Sequence, residues 1–582
     1  MTVIADLLDR DPRGQRLVNN GQARLSDTSP EEDRGELRTF VCEGRYADGI
    51  TRIVESLCRD LGKSSQQAAW VSGFYGSGKS HLLKMLGYLW ANEPFADGMT
   101  PRALVEDMPE SVRAALRELD NEATRHGGLF AAAGPMPSGQ LERPRHSVLA
   151  IVLRAAGLPA DYGKAAFCLW LEDKGIADEV KAAVAAAGSK FEDEIEELYM
   201  SPVIPEAIAS QFKGESPKEI RERIRAQYKT PDMDIDRNQF VSMLKRVLAR
   251  QGKNGKTPLT LILLDEVQIY IGDSQDRAGA IAEIAETLAK EFDQRIMLVG
   301  AGQSALQGTS QSNPQLVRLL DRFTIRVQLD DNDVETVTRK VLLRKKADAR
   351  ALIERCLDEH DGAIARQLAE TKIAARSSDR TIRVDDYPML PVRRRFWDVC
   401  FRAADLQGTQ SQLRSQLRIL HDALAENADK PLGAVVPADV LYEALKAALV
   451  QSGALPRDAY DRIEPLDKTN GADGVLAKRL AGLAFLISRL PTEAGADIGV
   501  RATPDHLADL LVDDLTIDQG AFRSRVRALI DRMVEDGHLT RIGEEVRIQT
   551  TEGRAWQQEF QKFRSHYGND LSAIADARDK LI

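Results

Sequence analysis

One short segment, WVSGFYGSGKSHLLKML over residues 70–86, restricts the fold of this 582-residue chain more than any other. It contains the pattern G-x-x-x-x-G-K-[ST], in which glycines let backbone N–H groups converge on phosphate oxygens. Residues 68–72 have the apolar run of a short buried strand, and apolar residues recur at helical spacing over 82–89. The segment therefore predicts a strand, a phosphate-binding loop and a helix whose N-terminus favours negative charge.

Two residues at the end of this loop have an expected contact with the nucleotide or its metal. Lys79 is expected to reach the β- and γ-phosphates, and the Ser80 hydroxyl to ligate Mg²⁺. His81 could contact phosphate as well, although a histidine in a first helical turn is more often a packing or capping residue. A plain glycine-rich turn is the alternative to a nucleotide site. The predicted nucleotide-binding residues are Gly73, Phe74, Tyr75, Gly76, Ser77, Gly78, Lys79, Ser80 and His81.

A second motif, LTLILLDEVQIYI, supplies the acids that nucleotide hydrolysis requires. It has an apolar strand over residues 259–264 that ends in Asp265 and Glu266. We expect Asp265 to hold Mg²⁺, and Glu266 to act as the general base that polarises the attacking water. The alternative is a buried strand that ends in acids without chemistry.

Two further residues could sense or complete the site. Gln303 lies just past the next apolar strand, in RIMLVGAGQSAL, where its amide could hold the water or contact the γ-phosphate as sensor one. A plain loop glutamine is an equal alternative. Arg322 precedes an alternating strand over residues 324–329 and could reach the γ-phosphate of a neighbouring subunit, with Arg318 as the reserve candidate. Alternatively, Arg322 pairs with an acid on its own surface.

The order of these motifs resembles the AAA+ ATPases, in particular the branch of the origin-recognition and initiator proteins. A closer resemblance is to the P-loop proteins of BREX phage-defence systems, known as BrxC or PglY. It rests on the sequences of the loop, of LLDEVQIYI and of YPMLPVRRRFWDVCFRAADLQGTQSQLRSQLRIL. Members of that family are usually longer, and the final SAIADARDKLI has no helix stop signal. We therefore expect an N-terminal portion or a short relative.

This resemblance implies an ATPase, with ATP and Mg²⁺ as cofactors. It also implies a homo-oligomer, other BREX-type defence proteins as partners, and double-stranded DNA as a candidate partner. By the same resemblance Arg414 is the candidate lid arginine, sensor two, with an ordinary surface arginine as the alternative. The expected function is an AAA+ motor or switch of an anti-phage complex. A replication initiator or loader of the origin-recognition kind, and a nucleotide-dependent scaffold without turnover, are the alternatives.

The expected fold class is α/β, with an AAA+ core containing a parallel sheet over residues 1–330, including the N-terminal segment. About 180 residues separate the loop from the acidic strand, which is too long for an ordinary connection and predicts a helical insertion over 100–250. Residues 331–455 have the pattern of a helical lid, and PRDAYDRIEPLDKTNGADG that of a linker. Residues 470–560 have the pattern of a winged helix, and 561–582 begin a further helical segment.

The winged-helix pattern carries the candidate contacts to DNA. Its third helix, after Asp518, presents arginines outside its apolar stripe, and the two strands that follow carry others. Such a helix can enter the major groove while arginines on the strands bind phosphates, although many modules of this kind bind only protein. The candidate DNA-binding residues are Arg523, Arg525, Arg527, Arg541 and Arg547.

Composition limits the remaining function classes. The net charge of -10 argues against a surface coated in basic residues, so any nucleic-acid contact must come from local patches. The arginine triplet at 393–395 is interpreted as a solvated charge run or as a DNA contact. No apolar run reaches membrane-spanning length, and the N-terminus lacks the pattern of a secretory signal. The five cysteines lack metal-ligand spacing, so we expect free thiols in the cytoplasm.

Overall fold

The computed structural model describes most of the chain and divides it into two units, each with more contacts inside it than to the other. We call residues 22–336 the sheet unit, and residues 1–21 together with 337–582 the helical unit. The described residues are 2–14, 25, 28–63, 67–73, 77–137, 143–211, 215–231, 233–272, 274–302, 319, 321–329, 332–404, 412–468, 471–549, 555–556, 559–560, 562–564, 572 and 578–579.

The sheet unit is built on five parallel strands in the order β2-β3-β4-β1-β5. The three inner strands are buried along their whole length, whereas the two edge strands alternate between buried and more exposed residues. The expected α/β fold with a parallel sheet is confirmed. The strands are β1 (Ala69–Ser72), β2 (Leu129–Pro135), β3 (Leu259–Asp265), β4 (Ile296–Gly302) and β5 (Ile325–Gln328).

Helices cover both faces of this sheet, because alternate residues of each strand point to opposite sides. Leu261 and Leu263 of β3 join one core with α3 (Gly44–Asp60), α4 (Lys79–Ala91) and α6 (Glu110–Arg125). Ile262 and Leu264 join a second core with α7 (Pro144–Ala155), α13 (Arg237–Gln251) and α15 (Gln275–Glu291). The helices of the sheet unit, which follow α1 (Ile4–Leu7) of the helical unit, are α2 (Pro30–Arg38), α3 (Gly44–Asp60), α4 (Lys79–Ala91), α5 (Pro101–Leu104), α6 (Glu110–Arg125), α7 (Pro144–Ala155), α8 (Tyr162–Asp173), α9 (Ala177–Ala186), α10 (Phe191–Glu196), α11 (Val203–Gln211), α12 (Pro217–Gln227), α13 (Arg237–Gln251), α14 (Val267–Ile271) and α15 (Gln275–Glu291).

The segment expected to be a helical insertion, residues 100–250, is only partly one. It contains β2, which pairs with β3 from Leu129↔Leu259 to Pro135↔Asp265 and belongs to the central sheet. Its sequence, LFAAAGP, is rich in alanine and glycine, which have low strand propensity, and no strand was predicted there. The inserted helices are therefore α7 to α13, between β2 and β3.

The helical unit has one large core that contains residues from both the expected lid and the expected winged helix. Phe396 and Leu441 share this core with Leu480 and Ile530, so the two regions are not separate bodies within this unit. The boundary between the units falls within α16. The elements that follow the sheet unit are α16 (Asn332–Val341), α17 (Ala349–Glu359), α18 (Asp361–Arg366), α19 (Asp379–Asp386), α20 (Pro391–Ala404), α21 (Gln412–Asn427), α22 (Val440–Gln451), α23 (Arg457–Ile463), α24 (Gly471–Ser488), α25 (Pro504–Leu511), α26 (Gln519–Glu535), β6 (Leu539–Ile542) and β7 (Glu545–Ile548).

The stretch interpreted as a linker is folded. Pro456 is the N-cap of α23, which continues into a 3₁₀ turn over Glu464–Lys468, and both Ile463 and Leu466 are buried. The linker prediction is wrong because Pro456 and Gly471 lie at the starts of helices rather than in an extended segment.

Helices α24 to α26 and the hairpin of β6 and β7 match the secondary structure that the sequence predicts. The Thr503 side chain caps α25 by accepting from the His506 N–H, and Asp518 caps α26 by accepting from Gly520 and Ala521. Strands β6 and β7 are antiparallel, with Leu539 opposite Ile548.

The N-terminal residues belong to the helical unit, not to the core expected over 1–330. The Ile4 N–H donates to the Lys430 carbonyl at 2.9 Å, and the Asp9 N–H to the Arg344 carbonyl at 2.8 Å. Ile4, Leu7 and Leu8 are buried in the cores of that unit. The apolar stretch VIADLL is too short to show by periodicity which core it joins.

Candidate nucleotide site

The glycine loop and the acidic pair leave the same edge of the sheet. Trp70 of β1 is level with Gly300 of β4, and Gly300 is level with Leu264 of β3. Asp265 therefore lies level with Val71, two strand spacings or about 10 Å away. Because the strands are parallel, both motifs lie at the carboxyl-terminal edge of the sheet.

The described part of the loop has the properties of an anion cradle. Gly78 has φ +85°, the left-handed conformation that favours glycine, and it is the N-cap of α4. A Cβ at Gly73 would lie 2.4 Å from the Ser77 Oγ. That oxygen is buried and has no hydrogen-bond partner among the described residues. The Lys79 ammonium donates to the Gly73 carbonyl at 2.9 Å, while Phe74, Tyr75 and Gly76 lie outside the described residues.

The acidic pair has the electrostatics of a candidate general base beside a candidate metal ligand. Asp265 is buried at the end of β3, and one of its side-chain oxygens accepts from the Glu266 N–H at 2.9 Å. Glu266 itself has φ +56°, which turns the chain sharply after the strand. Although much of Glu266 is solvent-exposed, partial burial of its carboxylate, and then the charge of Asp265, raise its pKa. A raised pKa brings a carboxylate closer to the range in which it accepts protons efficiently.

His81 contacts α2 and the connection that follows it. Its Nδ1 is 3.7 Å from Glu36, and its ring meets the ring of Phe40 edge-on at 5.5 Å. Next to it the Lys84 ammonium lies 2.8 Å from Asp33 and 3.0 Å from Glu36. Burial raises the pKa of Glu36, but His81 and Lys84 outweigh burial, and the pKa is lowered overall. These contacts favour the packing interpretation of His81 over a phosphate contact.

Tyr46 of α3 contacts the loop directly, and sequence reasoning did not single it out. Its hydroxyl donates to the Ser77 carbonyl at 2.8 Å, across 31 positions of sequence. The signal in the sequence was only an amphipathic helix, GRYADGITRIVESLCRD, whose inward positions include this tyrosine.

The candidate sensing residues are only partly described. Gln303 and Arg318 lie outside the described residues, and so does the side chain of Arg414, whose backbone belongs to α21. Arg322 donates to Glu286 of α15 at 3.0 Å. This is the alternative in which Arg322 pairs with an acid of its own chain.

All five candidate DNA-binding arginines form ion pairs within the helical unit. Arg523 and Asp509 form a largely buried pair at 2.5 Å, which makes Arg523 a residue of the core boundary. The other four pairs are partly exposed to solvent, where ion pairs contribute little and exchange easily. They are Arg525–Asp473, Arg527–Asp505, Arg541–Asp531 and Arg547–Glu545.

The arginine triplet at 393–395 is neither a solvated run nor a free basic patch. Arg393 is fully buried, and its guanidinium donates to the carbonyl of Val436 at 2.7 Å. Burial lowers the pKa of Arg393 to about 10. Arg394 pairs with the buried Asp386, and Arg395 pairs with Asp379. The interpretations of the triplet as a solvated charge run and as a DNA contact are therefore both wrong.

Comparisons with known proteins add little to this geometry. No protein-family model matches the chain. Among solved structures, the chain is similar to the Aeropyrum pernix ORC1 protein, solved in complex with DNA. That match covers 87% of this chain and 89% of that chain, at 14% sequence identity and a TM-score of 0.27. A likeness of this size assigns neither a family nor a function. Within the described residues, no helix is both long and apolar enough to cross a membrane.

Proposed function

We propose that this chain binds ATP and hydrolyses it as an AAA+ motor or switch. One observation carries the proposal: the glycine loop and the Asp265–Glu266 pair leave the same edge of one parallel sheet, about two strand spacings apart. Open parallel sheets bind ligands in the crevice outside the carboxyl ends of their strands.

The chain's own residues fit a nucleotide and its metal. The loop offers a left-handed glycine, a buried serine hydroxyl without a described partner, and the ammonium of Lys79. Ser80 and Asp265 would hold Mg²⁺, which neutralises phosphate charge when bound. One carboxylate and one hydroxyl suit Mg²⁺, which keeps several waters and shares the phosphates as ligands. Glu266 would accept the proton of the attacking water, and its raised pKa suits that role.

The wider role that we propose rests on the resemblance to the BREX P-loop proteins. In it the chain assembles as an ATP-dependent oligomer, works with other defence proteins and acts on DNA through a winged helix formed by α24 to α26 with β6 and β7. Gln303 and Arg414 would sense the γ-phosphate. Arg322 would have to exchange Glu286 for the phosphate of a neighbouring subunit, with Arg318 as the second candidate.

Nucleotide binding and turnover of two variants test the central proposal. Lys79→Ala should weaken ATP binding, because the loop loses its cation, whereas Glu266→Gln should retain ATP binding and lose turnover. Lys63→Ala, at an exposed lysine of the same unit, is the matched control and should change neither quantity. Full turnover in both site variants would refute the assignment. ATP binding without turnover in the wild type would support the scaffold alternative instead.

A further inference from the structure

A tyrosine of α3 holds the phosphate loop from behind. Tyr46 exposes only 4% of its surface, and its hydroxyl donates to the Ser77 carbonyl at 2.8 Å. The ring packs edge-on against Phe40 at 6.1 Å, so both ends of the side chain are fixed. This contact joins the first turn of α3 to the last residues of the loop before α4.

The hydrogen bond orients one particular peptide group. The Ser77 carbonyl and the Gly78 N–H belong to the same planar trans peptide and point in opposite directions. A bond that fixes the carbonyl toward Tyr46 therefore turns the Gly78 N–H toward the other side of the loop. Gly78 lies directly against the hydroxyl, since a Cβ at this position would be 2.2 Å from it.

Without this hydroxyl, the Ser77–Gly78 peptide would lose the hydrogen bond that fixes the direction of its carbonyl. Glycine adopts positive and negative φ about equally well, so Gly78 itself does not hold its φ of +85°. The Tyr46 hydroxyl supplies the missing restraint. The conformational entropy of the loop is then lost during folding, so nucleotide binding does not have to compensate for that loss.

We infer that Tyr46 is a positioning residue of the proposed nucleotide site, which presents the Gly78 N–H to a phosphate group. The inference rests on the proposed function. Backbone N–H groups of such a loop take the α- and β-phosphates, which ATP and ADP share. The contribution of Tyr46 should therefore be the same for both nucleotides and unchanged in the transition state.

Tyr46→Phe removes the hydroxyl and leaves the ring in place. We expect affinities for ATP and for ADP to fall by the same factor, about five-fold, the usual effect of one neutral hydrogen bond. The KM for ATP should rise by that factor while kcat stays unchanged, because the lost interaction is equal in the ground and transition states.

Tyr199→Phe is a closely matched control. The Tyr199 hydroxyl also donates to a backbone carbonyl at 2.8 Å, that of Tyr228, but within the helical insertion. Both variants should lose a similar amount of stability in thermal unfolding without nucleotide. Only Tyr46→Phe should lose nucleotide affinity, which separates positioning of the loop from general stability.

A third variant tests whether the donor itself matters. Incorporation of 4-aminophenylalanine at position 46 keeps the ring and restores an N–H donor at the same place, and should bring both affinities back to within about two-fold of the wild type. If Tyr46→Phe does not fold, this variant takes its place in the comparison with the wild type, and both proteins should bind nucleotide.

Three results would overturn the inference about Tyr46 while leaving the proposed function in place. These are wild-type affinities in Tyr46→Phe, an equal loss in Tyr199→Phe, or no recovery with 4-aminophenylalanine. In each case the wild type must bind ATP, and Lys79→Ala must bind it more weakly. A wild type that binds neither ATP nor ADP, measured by calorimetry with Mg²⁺ present, would overturn both.

Discussion

Replacement of Lys84 by methionine should destabilise the sheet unit far more than replacement of a surface lysine. The Lys84 ammonium lies within 3.0 Å of both Asp33 and Glu36, and the three side chains expose 3–8% of their surface. Removal of one partner from a buried ion pair costs about 3–5 kcal/mol, because the remaining charge has no compensation. Asp33 keeps hydrogen bonds from Thr28 and Tyr88, whereas Glu36 keeps the longer contact with His81 at 3.7 Å, so the penalty should fall mainly on Glu36.

The predicted loss depends on pH, and the sign follows from Glu36. In the wild type its folded pKa lies below the ordinary 4.5, so its charge adds stability that is present above pH 4.5 and lost as the pH falls through the folded value. Without Lys84, burial is opposed by His81 rather than by both cations, so the pKa of Glu36 should be higher than in the wild type. The difference in stability between wild type and Lys84→Met should therefore be greatest near neutral pH and shrink as the pH falls through the folded pKa of Glu36, first in the variant and then in the wild type.

Urea unfolding at several pH values measures this difference. The matched control is Lys290→Met, which removes an exposed helical lysine paired with Glu286 at 2.5 Å in the same unit and should cost less than about 0.5 kcal/mol. A variant with Asp33→Asn, Glu36→Gln and Lys84→Met together should recover most of the loss, since no buried charge remains. A loss below about 1 kcal/mol for Lys84→Met, or one that is equal at every pH, would refute the reasoning.

Two further predictions compare residues that share chemistry but differ in surroundings. Gly78→Ala should abolish most nucleotide binding, because its Cβ would clash at 2.2 Å with the Tyr46 hydroxyl. Gly62→Ala, with φ +73° and open space around it, should cost only backbone strain of about 1–2 kcal/mol. Calorimetry and unfolding curves compare the two variants, and equal nucleotide binding by both would contradict the prediction. Arg523→Ala should destabilise the helical unit, since it leaves the buried Asp509 without its cation, whereas Arg527→Ala should leave stability unchanged and lower the salt dependence of duplex DNA binding by about one ion. Denaturation measures the stability of both variants, and salt titrations measure their binding to duplex DNA. An Arg523→Ala variant as stable as the wild type would contradict the prediction.

The part of the fold that could be predicted has a strong local signal. The inner strands β1, β3 and β4 are largely apolar runs, and Asp518 marks a helix start that the structure confirms. β2 was missed because alanine and glycine at an edge strand provide neither the composition nor the pattern of a strand. Its place in the sheet is determined by pairing with β3, which is not visible in its own sequence.

The candidate site was predictable to the same extent. The loop and the acidic pair follow fixed motifs, so their residues could be named without a structure. The restraint by Tyr46 could not, because it depends on how α3 packs against the loop. Charge patterns were the least informative. Arg393 is buried, and Arg525 and Arg527 each pair with an aspartate more than 20 positions away.

The tie between residues 2–9 and the helical unit has a consequence for synthesis of the chain. The carbonyl partners of Ile4 and Ala5, on Lys430 and Ala428, are made more than 400 residues later, which at ribosomal speed is a delay of roughly 20–85 s. The sheet unit is one uninterrupted stretch of the chain and can fold during that time. The sheet unit would then be folded, whereas residues 2–9 would still lack their partners. Their apolar side chains would stay exposed to chaperones and proteases until the rest of the helical unit has left the ribosome.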